Sequence, residues 1–215
     1  MKSLEIEVKF YVPDIDAIRA RVRSLGAEPK GGGFETNIRF DDEEMRLTRG
    51  KKLLRLRQDS RCRLTVKSPP DDPGDADTEF KIFRELEVDV SDSQTMIAIL
   101  EQLGFTPRQV YEKQRETYFF NRTELCLDTL PFGHFLEIEG AKDDIRKAAE
   151  AIGLDWEKRI TANYLSLFAS LQKQLNLPFE DVTFENFKKA EIERSRFPKI
   201  LEGICPAEKN YDPSG

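Results

Sequence analysis

Several short stretches of the chain alternate apolar and charged residues, as a strand does when only one of its faces is buried. The first is LEIEVKFYV at residues 4–12, and the pattern returns in FRELEVDV at residues 83–90 and HFLEIEG at residues 134–140. Each stretch contains a Glu-x-Glu pair, and the pairs are Glu5 and Glu7, Glu85 and Glu87, and Glu137 and Glu139. The recurrence indicates a degenerate internal repeat, which one solvated strand face would not explain.

An amphipathic helix is predicted after each Glu-x-Glu strand. Apolar residues recur at helical spacing in residues 14–26, 91–104 and 142–153. Asp14 is a predicted N-cap, and Ser91 with Gln94 fits a capping box. A glycine is expected to end each helix, and these residues are Gly26, Gly104 and Gly153.

A second group of predicted strands carries basic residues on its charged face. These strands are KLLRLRQ at residues 52–58, CRLTVKS at 62–68 and YEKQRETYFF at 111–120. Together with the first strand they supply six bases, namely Lys9, Arg55, Arg57, Lys67, Lys113 and Arg115. A further strand, TELCLDTL at residues 123–130, places Asp128 on its polar face.

The apolar strand faces need partners, and the predicted helices supply them if they pack on the outside of the sheet. The charged faces then line the inside of a curved or closed antiparallel sheet, which predicts an α+β fold with a charged lumen. The alternative is that the charged faces are solvated and that their charges pair across strands. Such pairing contributes only about 0.2–1 kcal/mol per pair.

The charged positions predict a ligand chemistry. The inward set holds seven carboxylates and six bases, and like charges packed together without a ligand repel one another. Divalent cations relieve the repulsion between carboxylates, and clustered Glu and Asp oxygens suit Mg²⁺ or Mn²⁺. A polyanion such as a phosphate chain relieves the repulsion between the bases.

Composition excludes some classes of function. The 215 residues carry a formal charge of −6, which argues against nucleic acid as a general partner, and no apolar stretch is long enough to span a membrane. Three widely spaced cysteines, Cys62, Cys126 and Cys205, form no metal-ligand pair, so a reduced, cytoplasmic setting is expected. His134 is the only histidine, which leaves no basis for a nucleophilic triad.

The order of these motifs resembles the CYTH family, the triphosphate tunnel metalloenzymes. Glu5-Ile6-Glu7-Val8-Lys9 is similar to the family's ExExK signature, and Arg55-Leu56-Arg57 is similar to its RxR strand. The remaining matches follow in order and are Lys67, Glu85 and Glu87, Lys113 and Arg115, Asp128, and Glu137 and Glu139. The resemblance covers about residues 1 to 172, and it implies an eight-stranded antiparallel β tunnel, a closed barrel, with helices packed outside.

The resemblance also implies roles for the lumen residues. The residues expected to bind the substrate's phosphates are Lys9, Arg55, Arg57, Lys67, Lys113 and Arg115, and guanidinium groups suit phosphate because they bind it bidentately. The residues expected to hold one or two Mg²⁺ or Mn²⁺ ions are Glu5, Glu7, Glu85, Glu87, Asp128, Glu137 and Glu139. The residues expected to be catalytic are Lys67, Glu137 and Glu139.

Three functions follow from this resemblance. The first is a metal-dependent phosphohydrolase of a small-molecule triphosphate, such as thiamine triphosphate, inorganic tripolyphosphate or a nucleoside triphosphate. The second is a class IV-type adenylyl cyclase that converts ATP to cyclic AMP and pyrophosphate. The third is a triphosphate-binding module without turnover, which the number of carboxylates argues against.

The chain is expected to divide at about residue 175. Residues 1–175 would form the CYTH triphosphate tunnel domain, with TANYLSLFASLQKQL at residues 161–175 as a helix. Residues 176–215 would form a partly helical C-terminal extension, with a helix at about 181–195. This extension is too apolar to be purely disordered, and it is expected to pack on the barrel or on a second copy of the protein, as a homodimer.

Overall fold

The computed structural model describes residues 3–72, 77–190 and 197–204. The strands are β1 Ser3–Tyr11, β2 Glu28–Asp41, β3 Leu53–Gln58, β4 Cys62–Ser68, β5 Lys81–Asp89, β6 Thr106–Phe120, β7 Thr123–Leu130 and β8 Gly133–Glu139. The helices are α1 Ile15–Ser24, α2 Arg46–Arg49, α3 Ser93–Gln102, α4 Lys142–Ile152, α5 Tyr164–Leu175, α6 Phe184–Lys189 and α7 Phe197–Ile204, with a 3-10 helix at Trp156–Lys158. This composition confirms the predicted α+β class.

The eight strands form one antiparallel sheet that closes into a ring. Around the ring the order is β1, β5, β4, β3, β2, β6, β7 and β8, and β1 pairs with β5 on one side and with β8 on the other. Glu7 lies opposite Lys81 in the first pairing and opposite Glu139 in the second. Each strand therefore has two neighbours, and alternate side chains point to the inside or the outside of the ring.

The apolar side chains on the outside of the ring pack against the helices. One cluster joins Val8, Leu136 and Ile138 to the buried residues Ile145 and Ala149 of α4. The residues Phe40, Leu54 and Leu56 form a separate cluster with Leu100 of α3. Since the strands are covered from outside by apolar contacts, their charged positions are left to the inside, as the alternation predicted.

The helix ends agree with the sequence in four cases and differ in one, and Gly26 and Gly104 directly follow the caps of α1 and α3 with φ +79° and +85°. Asp14 caps α1 by accepting a hydrogen bond from Ala17 N, and Gly153 ends α4 in the left-handed region with φ +84°. The predicted cap at Ser91 is wrong, because the side chain of Asp92 caps α3 by accepting from Thr95 N. The two residues are adjacent candidates, and the carboxylate occupies the cap.

Gly32 allows β2 to lie close to β6. A Cβ atom at this position would lie 2.1 Å from the backbone oxygen of Arg115, so any larger residue would push the strands apart. The three glycines at residues 31–33 are part of β2, and Gly31 has a φ of +109° where the β2–β6 register shifts. The glycines help to set the position of Arg115, which faces the interior.

The segment after α5 packs against the ring. Val182 lies beside β6, where its N–H donates to Val110 O and its carbonyl accepts from Glu112 N. This contact covers a part of β6 that β7 does not reach, because the β6–β7 pairing begins at Gln114. The predicted helix at 181–195 is present in part as α6, residues 191–196 lie outside the described ranges, and α7 was not predicted.

The extension also joins the largest aromatic cluster of the described chain. Phe187 of α6 and Phe197 of α7 are buried with Phe132, Phe168 and Leu201. The bulk of the cluster lies over the end of the ring where β7 and β8 are connected. Among the helices described, none combines the length and the apolar content that a membrane crossing requires.

Candidate active site

The predicted charged residues meet inside the ring. Lys67 on β4 pairs with Glu5 on β1, although β5 lies between these two strands. Arg55 on β3 donates to the hydroxyl of Tyr111 on β6, although β2 lies between them, at 3.3 Å. Such contacts across an intervening strand require both side chains to face the interior.

A basic wall is formed by Arg55 and Arg57 of β3 and Lys113 and Arg115 of β6. All four are buried or nearly so, with exposed side-chain fractions between 3% and 15%. Arg57 Nε donates to Asn37 Oδ1 at 2.8 Å, which fixes one edge of its guanidinium. The wall therefore presents a concentrated, oriented positive charge to the lumen.

Asp128 lies beside the basic wall and is fully buried. Its oxygens accept from Lys113 Nζ at 2.8 Å, from Arg115 Nε at 2.7 Å and from the hydroxyl of Tyr164 at 2.9 Å. Desolvation and the negative charge of Asp128 raise the pKa of Tyr164 well above its ordinary value, so the phenol remains a donor. With three partners in place Asp128 acts as the counterion of the wall, and its predicted role as a metal ligand stays a prediction.

The opposite side of the ring is a carboxylate wall, formed by the Glu-x-Glu pairs of β1, β5 and β8. Glu7 is the most buried of these residues, and it accepts from Lys81 Nζ at 2.6 Å and from Lys9 Nζ at 3.1 Å. Desolvation raises the pKa of Glu7, but these two lysines outweigh it and hold the pKa well below the ordinary value. Glu137 is held in the same way, with Arg115 and Lys9 as its partners.

Glu139 differs from the other members of the carboxylate wall. Desolvation together with the charges of Glu5 and Glu124 raises its pKa to about 8. Among the described residues no cation lies within ion-pair distance of it, and it is exposed at the end of β8. This corner of the interior therefore carries an excess of negative charge.

The two ends of the ring differ in how they are covered. Tyr164 at the start of α5 reaches the interior, and its ring centroid lies 5.2 Å from Lys9 Nζ and 5.4 Å from Lys113 Nζ. Tyr111 belongs to the same aromatic cluster and is also buried. At the other end, Glu87 and Glu139 are exposed. The exposed end is therefore the accessible one.

The carboxylate wall fits a divalent cation in its chemistry. It offers oxygen ligands in a region of excess negative charge, as Glu139 indicates, and hard cations such as Mg²⁺ and Mn²⁺ prefer such ligands. Across residues 3–72, 77–190 and 197–204, however, no three Asp, Glu, Cys or His side chains are already gathered as a metal site. Lysines occupy several of the carboxylates instead, as Lys67 does with Glu5 and Glu85.

Comparison with protein families decides the relationship of the chain. The model of the CYTH domain matches residues 3–162, which is well over half of the sequence. The chain belongs to the CYTH family. This confirms the resemblance drawn from the ExExK, RxR and later motifs. Proteins of the CYTH family are generally enzymes with triphosphatase or adenylyl cyclase activity, and its triphosphate tunnel metalloenzymes depend on divalent metals.

Solved structures carry the same fold as this CYTH protein. The PH1012 protein of Pyrococcus horikoshii OT3 is 29% identical, with 74% of this chain and 96% of that chain covered and a TM-score of 0.63. The PH1819 protein of the same organism is 27% identical, with 79% and 99% covered and a TM-score of 0.63. No curated protein matched the chain.

A third solved structure is more distant and supports the fold alone. It is HpAC1 from Hippeastrum, named as an adenylyl cyclase candidate and described as having a dominant triphosphatase activity. It is 18% identical, with 77% of this chain and 95% of that chain covered and a TM-score of 0.57.

All the predicted lumen residues of this CYTH domain lie on the strands expected for them, but the sequence analysis missed other interior side chains. Among the described residues these include Glu35 and Asn37 of β2, Lys81 of β5, Tyr111 of β6 and Tyr164 of α5. Glu35 and Lys81 could have been found from parity, because Ile38 and Phe40 mark the outside of β2 and Ile82 marks the outside of β5. Tyr164 gave no local signal, since its partner lies 36 residues away.

Two further groups of the CYTH domain lie apart from this chemistry. His134 faces the outside of β8, where Nδ1 lies 3.0 Å from the hydroxyl of Thr129. Cys126 faces the interior, but desolvation raises the pKa of its thiol to about 12, which keeps it protonated. Cys62 is also a free thiol, and Cys205 lies outside the described residues.

Proposed function

We propose that this protein is a divalent-metal-dependent phosphohydrolase that acts on a small-molecule triphosphate. One observation carries the proposal: a wall of four buried or nearly buried bases faces a wall of carboxylates across the interior, and at one carboxylate corner no cation of the described residues lies within ion-pair distance. Burying charged groups is costly, so apolar residues at these positions would stabilise the fold better than either wall does. A triphosphate together with a cation supplies both walls with complementary charge.

The basic wall would bind the phosphates. Arg55 and Arg57 are adjacent inward positions of β3, and guanidinium groups bind phosphate oxygens bidentately. Lys113 and Arg115 face them from β6, while Lys9 and Lys67 stand at the border with the carboxylate wall. Positive charge held in a desolvated site stabilises the negative charge that develops on the transferred phosphoryl group.

The carboxylate wall would hold the metal. Glu5, Glu7, Glu137 and Glu139 are the residues we assign to it, with Glu85 and Glu87 beside them. A bound Mg²⁺ or Mn²⁺ supplies Lewis-acid neutralisation of phosphate charge and a source of activated water. Lys67, which pairs with both Glu5 and Glu85, would exchange these carboxylates for a phosphate oxygen and so link the two walls.

The substrate is proposed to be a small molecule, and the charge of −6 argues against nucleic acid as a general partner. Access from the exposed end, where Glu87 and Glu139 lie, suits a short phosphate chain that enters an interior closed by Tyr164 at the other end. The group attached to the phosphates would remain near the exposed end.

Product analysis tests the proposal. The purified protein is incubated with Mg²⁺ or Mn²⁺ and, in separate reactions, ATP, thiamine triphosphate and tripolyphosphate, and the products are separated by chromatography. Release of inorganic phosphate is expected, and the fastest substrate identifies the class. Cyclic AMP with pyrophosphate would replace the hydrolase by an adenylyl cyclase, and the absence of any product would contradict both enzymatic functions.

A further inference from the structure

Glu35 is a carboxylate inside the basic wall. It lies on β2 opposite Lys113 of β6 and is 4% exposed. Its Oε2 atom lies 3.3 Å from Arg57 Nε and 3.6 Å from Lys113 Nζ, and its Oε1 atom lies 4.0 Å from Arg115 Nε. Three of the four bases of the wall therefore share this one anion.

Charge, rather than hydrogen bonding, holds Glu35 in this position. Arg57 Nε donates to Asn37, and both Lys113 and Arg115 donate to Asp128. Within the described part of the chain, Glu35 Oε2 is buried and accepts no hydrogen bond. Desolvation raises the pKa of Glu35, but Lys113, Arg115 and Arg57 outweigh it and lower the pKa to about 2. The group is therefore held as an anion, and its buried Oε2 atom lies next to Arg57 and Lys113 without a hydrogen bond.

We propose that Glu35 is a resident counter-anion of the phosphate-binding wall, which a bound phosphate must displace or share. The inference rests on the proposed function, because it assumes that the same bases bind phosphate. A phosphate oxygen that reaches Arg57 and Lys113 comes close to Glu35, and like charges at such distances repel strongly in a desolvated site. Glu35 thus lowers the affinity of the wall for polyanions.

Such a residue has a use in turnover. Bases gathered in a buried site would otherwise hold a tripolyphosphate, and its anionic products, so tightly that release would limit the rate. Equal stabilisation of bound substrate and transition state also does not raise kcat. A fixed anion that opposes ground-state binding keeps the wall charged and ordered while it allows the product to leave.

The repulsion scales with the charge of the ligand, and this gives the inference a signature. Replacement of Glu35 by Gln keeps the shape of the side chain and removes its charge. Binding of tripolyphosphate is expected to tighten by about tenfold, which corresponds to ~1.4 kcal/mol. Binding of inorganic phosphate is expected to tighten less, because it carries less charge. A residue with a purely structural role would give the opposite result, since its loss would disorder the bases and weaken binding.

The experiment is isothermal titration calorimetry of the full chain with tripolyphosphate and, separately, inorganic phosphate. EDTA is present so that metal-dependent turnover does not occur. Wild type, Glu35→Gln and Glu28→Gln are compared. Glu28 lies at the exposed start of the same strand, away from the four bases, and pairs with Lys30. Glu28→Gln therefore makes the same change in net charge without touching the basic wall, and it is expected to bind like wild type.

The outcomes separate the inference from the function on which it rests. Tighter tripolyphosphate binding by Glu35→Gln alone supports a resident anion, whereas equal, weaker or absent binding overturns it. Product analysis of the wild type judges the proposed function independently. Where Glu35→Gln does not fold, Glu35→Asp keeps the charge but withdraws it from the bases by one methylene. It should tighten tripolyphosphate binding two- to threefold, and unchanged or weaker binding would again contradict the inference.

Discussion

Two inward glutamates of the same sheet have opposite electrostatic environments. Glu35 in the basic wall has its pKa lowered to about 2, whereas Glu139 in the carboxylate wall has its pKa raised to about 8. Both lose hydration, so desolvation raises the pKa of each, and the neighbouring charges decide the outcome. The comparison teaches that the balance of charge changes across the interior, from an excess of bases around Glu35 to an excess of carboxylates around Glu139.

The largest expected effect is the loss of kcat when either wall is changed, and tripolyphosphate binding without metal distinguishes the two walls. Arg57→Ala and Glu137→Gln should each lower kcat by about 10³-fold, the scale seen when one preorganised transition-state contact is removed. Arg57→Ala should also weaken tripolyphosphate binding in EDTA, because it removes a phosphate contact, whereas Glu137→Gln should retain that binding. Steady-state kinetics and calorimetry measure the two properties.

The matched controls lie on the outside of the protein. They are Arg122→Ala and Glu101→Gln, which change exposed residues and should leave kcat unchanged. Wild-type rates in both Arg57→Ala and Glu137→Gln would place the active site elsewhere. An equal loss of tripolyphosphate binding in Arg57→Ala and Glu137→Gln would contradict the assignment of phosphate binding to the basic wall alone.

The second effect concerns stability against acid. The pKa of Glu35 is lower in the folded state than in the unfolded chain, so its charge stabilises the fold above about pH 4.5 and this stability is lost as the pH falls toward 2. The full shift corresponds to at most about 3 kcal/mol. The difference in unfolding free energy between wild type and Glu35→Gln should fall by up to about 2 kcal/mol between pH 5 and pH 3.

Urea unfolding at each pH measures this difference. The contributions of groups that titrate in both proteins cancel in the difference, and Glu28→Gln serves as the control for the loss of one exposed glutamate. A difference for Glu35→Gln that stays constant from pH 5 to pH 3 would mean that the three bases do not hold the carboxylate.

The smallest expected effect tests whether Asp128 is the counterion of the basic wall or a ligand of the metal. Tyr164→Phe removes one of the donors to this buried carboxylate and should cost about 1–2 kcal/mol of unfolding free energy, because Lys113 and Arg115 remain. The Mg²⁺ concentration for half-maximal activity should stay within twofold of wild type. Tyr118→Phe, whose hydroxyl bonds to Glu116 outside the ring, is the control. A large change in the Mg²⁺ requirement would instead assign Asp128 to the metal.

The sequence was sufficient for the ring and for most of its charged lining. Strand parity places Glu5, Glu7, Arg55 and Arg57 on the correct face, because apolar residues alternate with them without interruption. A shift of the register by one residue would bury every charge against the helices. Once the faces are assigned, strand closure brings the two walls opposite each other.

The rest depended on information that local patterns do not contain. The glycines at the start of β2 hide its alternation, so the pattern did not assign Glu35 to the interior face, although it lies close to three bases. Tyr164 packs at helical spacing like a core residue, and only the position of α5 over the ring brings its hydroxyl to Asp128. The proline-rich context of residues 197–204 concealed α7.

The contact between Val182 and β6 bears on how the chain avoids association with other chains. A strand edge with free N–H and C=O groups is a template for adding a further strand from another molecule, and natural proteins cover or interrupt such edges. The first half of β6 extends beyond β7 and would present such an edge near Val110 and Glu112. By occupying it, the segment around Val182 protects the protein from aggregation, and a chain that ended before residue 180 would expose it.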